Sequence, residues 1–301
     1  MHSNFNEETY KIQTTNGMQV LLTRVNTLIH NAKAPCVFML HDIGQSSGLY
    51  KQPDGLARFL ALEGYDVFML DLMGREGTWP RVSKHMKYSI NQTITVDLSK
   101  VMAKIERLNA LPSIYVGHGF GSVLLSSFIA RQPEFNKQVS HFVHINARRL
   151  MTLPSAEYKF IKDFFWFNLA KLQMMLFGQV DTKKIKLGSC IESKVFYEQY
   201  LALSHGPWID PEDEFDYASA ILKKQFPKSL YLSDQFNDYL AHQEDVRAYI
   251  KELGPHNAQV MWLSKKSGSL KNYKGVKILT DPSANEDHFV KMINWLQGEH
   301  A

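Results

Sequence analysis

Apolar runs of three or four residues recur along this chain and alternate with segments of helical period, an order that leaves few architectures open. The runs are Val37 to Leu40, Val67 to Leu70, Ile114 to Val116, Phe142 to Ile145, Leu230 to Leu232, Val260 to Leu263 and Val276 to Leu279. Between them, Gly55 to Glu63, Ile94 to Leu108, Ser122 to Arg131, Gln243 to Leu253 and His288 to Gln297 read as helices. Strands separated by helices cannot pair as hairpins, so the pattern predicts a mainly parallel sheet of about eight strands with helices on both faces, an α/β fold. A hairpin opens the chain: Tyr10 to Thr14 and Gln19 to Val25 alternate around an Asn16-Gly17 turn of two residues. The alternation stops between about Ala147 and Phe226, where no convincing strand is read and the sequence is helical and aromatic-rich. With no Pro/Gly-rich linker or repeat, 147–226 is expected to be a short helical cap inserted after strand six, and 1–146 with 227–301 one core. The 301 residues are 45% hydrophobic, ample for a continuous interior.

The reactive chemistry of the chain should sit at one turn. Ile114-Tyr115-Val116 runs into Gly117-His118-Gly119-Phe120-Gly121 and then into the helix from Ser122. This is the strand–turn–helix context of the G-x-S-x-G nucleophile elbow, whose flanking glycines leave room for a sharp turn. Here the central residue is Gly119, which has no nucleophilic atom. The plainer reading is a phosphate-binding turn at a helix N-terminus. The spacing is not G-x-G-x-x-G, however, and no acidic residue follows a second strand at the expected distance.

Several motifs in the same order resemble the acid lipases, the lysosomal and gastric lipases of the α/β-hydrolase fold, over nearly the whole chain. Glu8 to Gly17 is similar to the family's opening hairpin, and His41-Asp42-Ile43-Gly44-Gln45-Ser46-Ser47 to its oxyanion loop "HGLLQSS". Gly64 to Phe68 matches "GYDVW", Gly77-Thr78-Trp79 with Arg81 falls at "GNTWSR", and Tyr115 to Gly121 corresponds to "YVGHSQG". Asn237 to Ala241 with Glu244 to Val246 resembles "NDWLADPEDV", which puts Asp238 at the catalytic acid. The resemblance also implies oxyanion donors at the backbone N–H groups of Ile43 and Phe120, which any side chain can provide. For the histidine, strict register with "NHLDF" gives Glu286, whereas a histidine and aromatic opening the last helix favours His288.

The departures from that family are as informative as the matches. Gly119 stands at a vestigial nucleophile position, so no acyl-enzyme can form there. Asp42 replaces a small glycine, and its carboxylate is expected to repel charge developing in the hole. Ser122 lies off the apex and is read as capping or packing, and Ser46 and Ser47 are serines the family already has. His118, His141, His144 and His205 lack ligand spacing and read as surface or satisfied core residues. No cofactor and no metal site are expected.

Partners follow from charge and from the cap. Lys and Arg number 34 against 30 Asp and Glu, a net +4 spread along the chain, which argues against nucleic acid. Cys36 and Cys190 make no disulfide framework, the first residues lack a signal-peptide profile, and no apolar stretch would span a bilayer. An intracellular, most simply cytoplasmic, protein is expected. Tyr158 to Phe167 and then Leu169, Leu172 and Met174 to Phe177 place apolar residues on more than one helical face. The plain reading is packing on the sheet edge, filling a former lipid pocket. The functional ones are a protein partner at the cap or sheet edge and a shallow membrane contact, the protein being the better of the two because a membrane contact would want a cleaner basic face; a lipid or hydrophobic small molecule would occupy the former pocket. Together these features predict a catalytically inactive binding or structural subunit. The alternatives are an active or water-using carboxylic-ester hydrolase, and a lipid or small-molecule sensor.

Overall fold

Each core strand sends alternate side chains to opposite faces of one sheet, and that alternation sets the layering. The computed structural model describes residues 5–28, 34–151, 162–234 and 242–298, with backbone alone over 162–165. The strands are β1 (Phe5–Gln13), β2 (Gln19–Thr27), β3 (Cys36–Leu40), β4 (Asp66–Asp71), β5 (Ile114–His118), β6 (His141–Ile145), β7 (Gln179–Asp181), β8 (Ile191–Ser193), β9 (Lys228–Ser233) and β10 (Ala258–Trp262). Among the described residues the main sheet has eight strands in the order β1-β2-β4-β3-β5-β6-β9-β10. β1 and β2 are antiparallel, β2 pairs antiparallel with β4, and every other pair is parallel.

Helices α1 (Leu56–Leu62), α2 (Leu98–Leu108), α3 (Phe120–Arg131), α4 (Ala170–Phe177), α5 (Lys194–His205), α6 (Tyr217–Leu222), α7 (Gln243–Glu252), α8 (Lys277–Thr280) and α9 (His288–Gln297) cover the sheet. Val37, Met39, Val67 and Met69 join α1, α8 and α9 in one apolar cluster. Phe38, Leu40, Phe68 and Leu70 face the other way and pack with α2, α3 and α7. The second cluster runs on into Trp166, Met174, Ile185, Phe196, Tyr197 and Trp208, so the residues between β6 and β9 share its core.

Three local expectations are corrected. Val276 to Leu279 is a turn of helix rather than a strand: Ile278 and Leu279 are adjacent and both buried on the same cluster, as helical geometry allows. A short apolar run does not by itself separate a strand from a buried helical turn. The segment after β6, read as strandless, contains the β7–β8 hairpin, whose three-residue strands are too short to show an alternation. The first hairpin is joined by five residues, since Gln13 pairs with Gln19, although Asn16 and Gly17 do supply the turn at φ 55° and 75°.

Candidate functional site

β5 ends at the centre of the sheet and hands over to α3 through Gly119, at φ 51° and ψ −120°. Positive φ here costs a residue with a Cβ, and a nucleophile elbow normally stores that strain. The flanking glycines are required by close approach, as the sequence predicts. A Cβ on Gly117 would lie 2.5 Å from the Ser122 Cα, and one on Gly121 would lie 2.4 Å from the Leu40 carbonyl oxygen. The Gly119 N–H donates to Ile145 at 2.8 Å, which pins the turn to β6. Ser122 is buried and its hydroxyl donates back to the Gly117 carbonyl at 2.7 Å, so it serves packing and does not replace the nucleophile.

Asp42 occupies the space of the missing side chain. A Cβ on Gly119 would fall 2.1 Å from the Asp42 Cγ. One oxygen of that carboxylate, Oδ1, accepts from the Ile43 N–H at 2.8 Å and from the Phe120 N–H at 2.6 Å. These are the two backbone donors that the sequence assigns to an oxyanion hole, and they do converge on one point. In place of the expected repulsion by the Asp42 carboxylate, its own oxygen takes both N–H groups. The position suits an anion, since the Phe120 N–H is the first of a twelve-residue helix whose N-terminus carries partial positive charge. Phe120 and Tyr200 close the space above, with ring centroids 4.9 Å apart and planes at 85°. Arg148, Arg149, Met151 and Ser204 complete the wall, and among the described residues no room for a water-sized molecule remains there. Burial pushes the Tyr200 phenol up to about 12, so it stays protonated at neutral pH and cannot act as a base.

The loop carrying Asp42 is held from two sides. Ser47 donates its N–H and its hydroxyl to the two oxygens of Asp71, at 2.7 and 2.6 Å. On the other side the Gly44 N–H donates to Glu192 Oε1 at 2.8 Å, and Ser189 and Cys190 donate to the Gly44 carbonyl at 2.8 and 3.1 Å. Glu192 also accepts a forked pair from Arg75, both side chains being 1% exposed. Arg75 donates further to the Met73 and Gln45 carbonyls. This β8-to-loop latch was missed by sequence reasoning, because 117 residues separate its charged partners. The one local sign of it is Gly44 itself, at φ 66° with a hypothetical Cβ 2.7 Å from the Thr182 hydroxyl oxygen.

Among the described residues, no hydrogen bond joins His288 or Glu286 to this cluster. His288 opens α9 as expected, but it is buried beside Tyr273 and Phe289, and its Nε2 hydrogen-bonds the Ile278 carbonyl at 2.8 Å. Among the described residues no hydrogen bond links it to the elbow, and burial lowers its pKa, so it is neutral at pH 7. Glu286, the strict-register position, is exposed. Asp238 lies outside the described residues, as does Tyr158 to Ile161 of the aromatic run. His118 and His144 are buried in the core, whereas His205 is exposed and His141 half-buried. His144 is stacked on Tyr231 with ring centroids 4.4 Å apart and has no hydrogen bond on either nitrogen, so it is a core residue but not a satisfied one. Among the described residues no cluster of His, Cys, Asp and Glu could hold a metal. No helix there is long and apolar enough to cross a membrane.

The family model described as "Serine aminopeptidase, S33" matches residues 31–179, which contain the oxyanion loop, the elbow and α3. Solved structures extend the likeness over the chain. The structure of the DcsB complex with its substrate analogue superposes at TM-score 0.63 and 12% identity, covering 98% of this chain and 99% of that one. The enol-lactonase from Burkholderia xenovorans gives 0.59 at 12% identity, covering 96% and 100%. The chain has the α/β-hydrolase fold. A membrane phospholipase A, a bacterial virulence factor, gives 0.58 at 14% identity over 98% and 87%. No curated protein matches the chain. In this fold the turn through Gly119 joins β5 to α3, and the Ile43 and Phe120 N–H groups beside it are both taken by Asp42 Oδ1.

Proposed function

We propose that this α/β-hydrolase-fold protein, akin at finer resolution to the acid lipases, is catalytically inactive and acts by binding, as a structural or protein-binding subunit of an intracellular assembly. The observation that carries this reading is the double acceptance at Asp42 Oδ1 from the Ile43 and Phe120 N–H groups. Acyl transfer needs those donors free to receive the oxygen of a tetrahedral intermediate. An internal carboxylate that already satisfies both removes the largest electrostatic term, and Gly119 removes the nucleophile. The two changes depend on each other, since only glycine leaves space for the Asp42 side chain. The filled space above Asp42 also opposes a small-molecule sensor at this site. The same packing opposes Asp42 as a displaced carboxylate nucleophile, because an attacking oxygen needs a substrate within reach.

The test is hydrolysis of short and long p-nitrophenyl esters, followed through gel filtration so that activity is assigned to the protein peak. The wild type is expected to show no turnover and no labelling by a fluorophosphonate. Gly119→Ser alone is expected to stay inactive, because the new side chain collides with the Asp42 carboxylate and that charge remains beside the two N–H groups. Wild-type ester hydrolysis that co-elutes with the protein and disappears in Asp42→Asn would overturn the reading.

A further inference from the structure

Helix α4 carries two apolar faces, and among the described residues one of them is left exposed. Ala170, Gln173 and Met174 are buried at the i, i+3, i+4 spacing that meets the core. Leu172, Met175 and Leu176 point the opposite way and Phe177 projects at the helix end, with exposures of 45%, 73%, 59% and 56%. Single exposed apolar side chains are ordinary, but four on one helix of eight residues form a patch of the kind that marks an interaction surface.

The charges around the patch choose its occupant. Lys171 lies on the same outward face and is exposed. Lys84 packs against Gly178, the residue after Phe177, where a Cβ would come within 2.5 Å of the Lys84 Cα. Lys183, Lys184 and Lys186 are exposed between β7 and β8. The acidic side chains of this region are few: Asp181 meets Lys184 at 3.8 Å, and Glu192 is buried against Arg75. The Met and Phe side chains of this patch would suit a protein interface as well, but such interfaces are depleted in lysine, and the exposed lysines of this region are what favour a lipid surface. Lysine stems lie along apolar surface while their ammonium groups reach outward, which suits the boundary between lipid tails and anionic headgroups.

We propose that the outward face of α4 docks the protein on an anionic bilayer surface. Leu172, Met175, Leu176 and Phe177 enter the headgroup–acyl boundary while the lysines meet the lipid charges. The docking surface does not involve the elbow, so it stands or falls separately from catalytic inactivity.

The experiment is flotation of the full chain with phosphatidylcholine vesicles and with vesicles in which a third of the lipid is phosphatidylserine. The wild type is expected to partition at least roughly tenfold more strongly onto the anionic vesicles, with loss of binding at high salt. Leu176→Glu/Phe177→Glu is expected to lose that binding while keeping the wild-type melting curve, and Lys183→Glu/Lys184→Glu to weaken it severalfold. Absence of vesicle binding by the wild type, equal binding to both vesicle types, or undiminished binding by the Leu176→Glu/Phe177→Glu variant overturns the proposal. So does a concentration-dependent dimer in sedimentation, without vesicle binding, that the same variant abolishes, since the patch would then meet a second copy.

Discussion

Two buried carboxylates grip the same loop in different ways. Glu192 reaches the Gly44 N–H from β8 and is neutralised by the forked guanidinium of Arg75. Asp42 reaches the N–H groups of Ile43 and Phe120 from the loop itself and is held by backbone donors at a helix N-terminus. One carboxylate is part of an ion pair that ties β8 to the loop after β3. The other, on the reading proposed above, takes the position that a reaction intermediate would take. Removing the first strands a buried cation, whereas removing the second opens a site built to receive an anion. The first loss should therefore appear as stability and the second as binding.

The largest effect should come from breaking the pair. Glu192→Ala leaves the Arg75 guanidinium buried without its counter-charge and frees the Gly44 N–H, at a cost of about 4 kcal/mol. A urea titration followed by circular dichroism reads this as a fall in the midpoint. A variant within a few tenths of a kcal/mol of wild type would mean that water or another acceptor replaces Glu192.

Gly119→Ser should come next. Its Cβ would overlap the Asp42 carboxylate and its backbone would be held at positive φ, together costing roughly 3 kcal/mol. In Gly119→Ser/Asp42→Gly the overlap disappears, so the double variant should be more stable than Gly119→Ser alone. A double-mutant cycle measures that coupling, and strict additivity would break the claim that the two positions depend on each other. Asp42→Gly alone is expected to cost about 1–2 kcal/mol, because two buried N–H groups lose their acceptor and water replaces it only in part. Added acetate should raise its melting temperature and leave that of the wild type unchanged, as an open anion site would require.

How much of this was legible beforehand follows the range of the interactions. Gly117, Gly119 and Gly121 mark the turn as a spaced glycine pattern after a strand, although only Gly117 is crowded by a near neighbour, Ser122, while Gly121 meets Leu40 and Gly119 meets Asp42; Ile114 to Val116 marks its strand because the central strand is buried on both faces. Ile43 and Phe120 could be named as donors because a backbone N–H does not depend on its side chain. That a carboxylate lies beside the turn was legible from Asp42 in the sequence. Its acceptance from both N–H groups was not, since that depends on which way a side chain turns once the Cβ of residue 119 is absent. The Arg75–Glu192 latch, the three-residue strands β7 and β8, and the helical turn at Val276 to Leu279 are set by tertiary contacts and leave no periodicity to read. His288 was placed correctly at the start of α9. What its sequence position could not show is that Nε2 is engaged by Ile278.

A third buried carboxylate extends the comparison to a group that, among the described residues, has no ion-pair partner in contact and no N–H cradle, Lys100 acting on it only from a distance. Asp97 closes the π-helical stretch Thr93–Asp97 before α2, fully buried, and neither of its oxygens has a partner with hydrogen-bond geometry. Burial pushes it up to about 6, against an ordinary 3.8, although Tyr88, Gln92 and Thr14 lie close enough to moderate the shift. The folded chain therefore holds this proton more tightly than the unfolded chain does. Its stabilising contribution is present at pH 4, is lost as pH rises through about 6, and is absent above that. Asp97→Asn keeps the shape, carries no charge to desolvate, and should gain on the order of 1 kcal/mol at pH 7.5 while changing little near pH 4. Urea midpoints of wild type and variant across that range check it. Curves that stay parallel at every pH would show that Asp97 is as well compensated as Glu192 and Asp42, and would remove the distinction between a buried charge that is matched and one that is only enclosed.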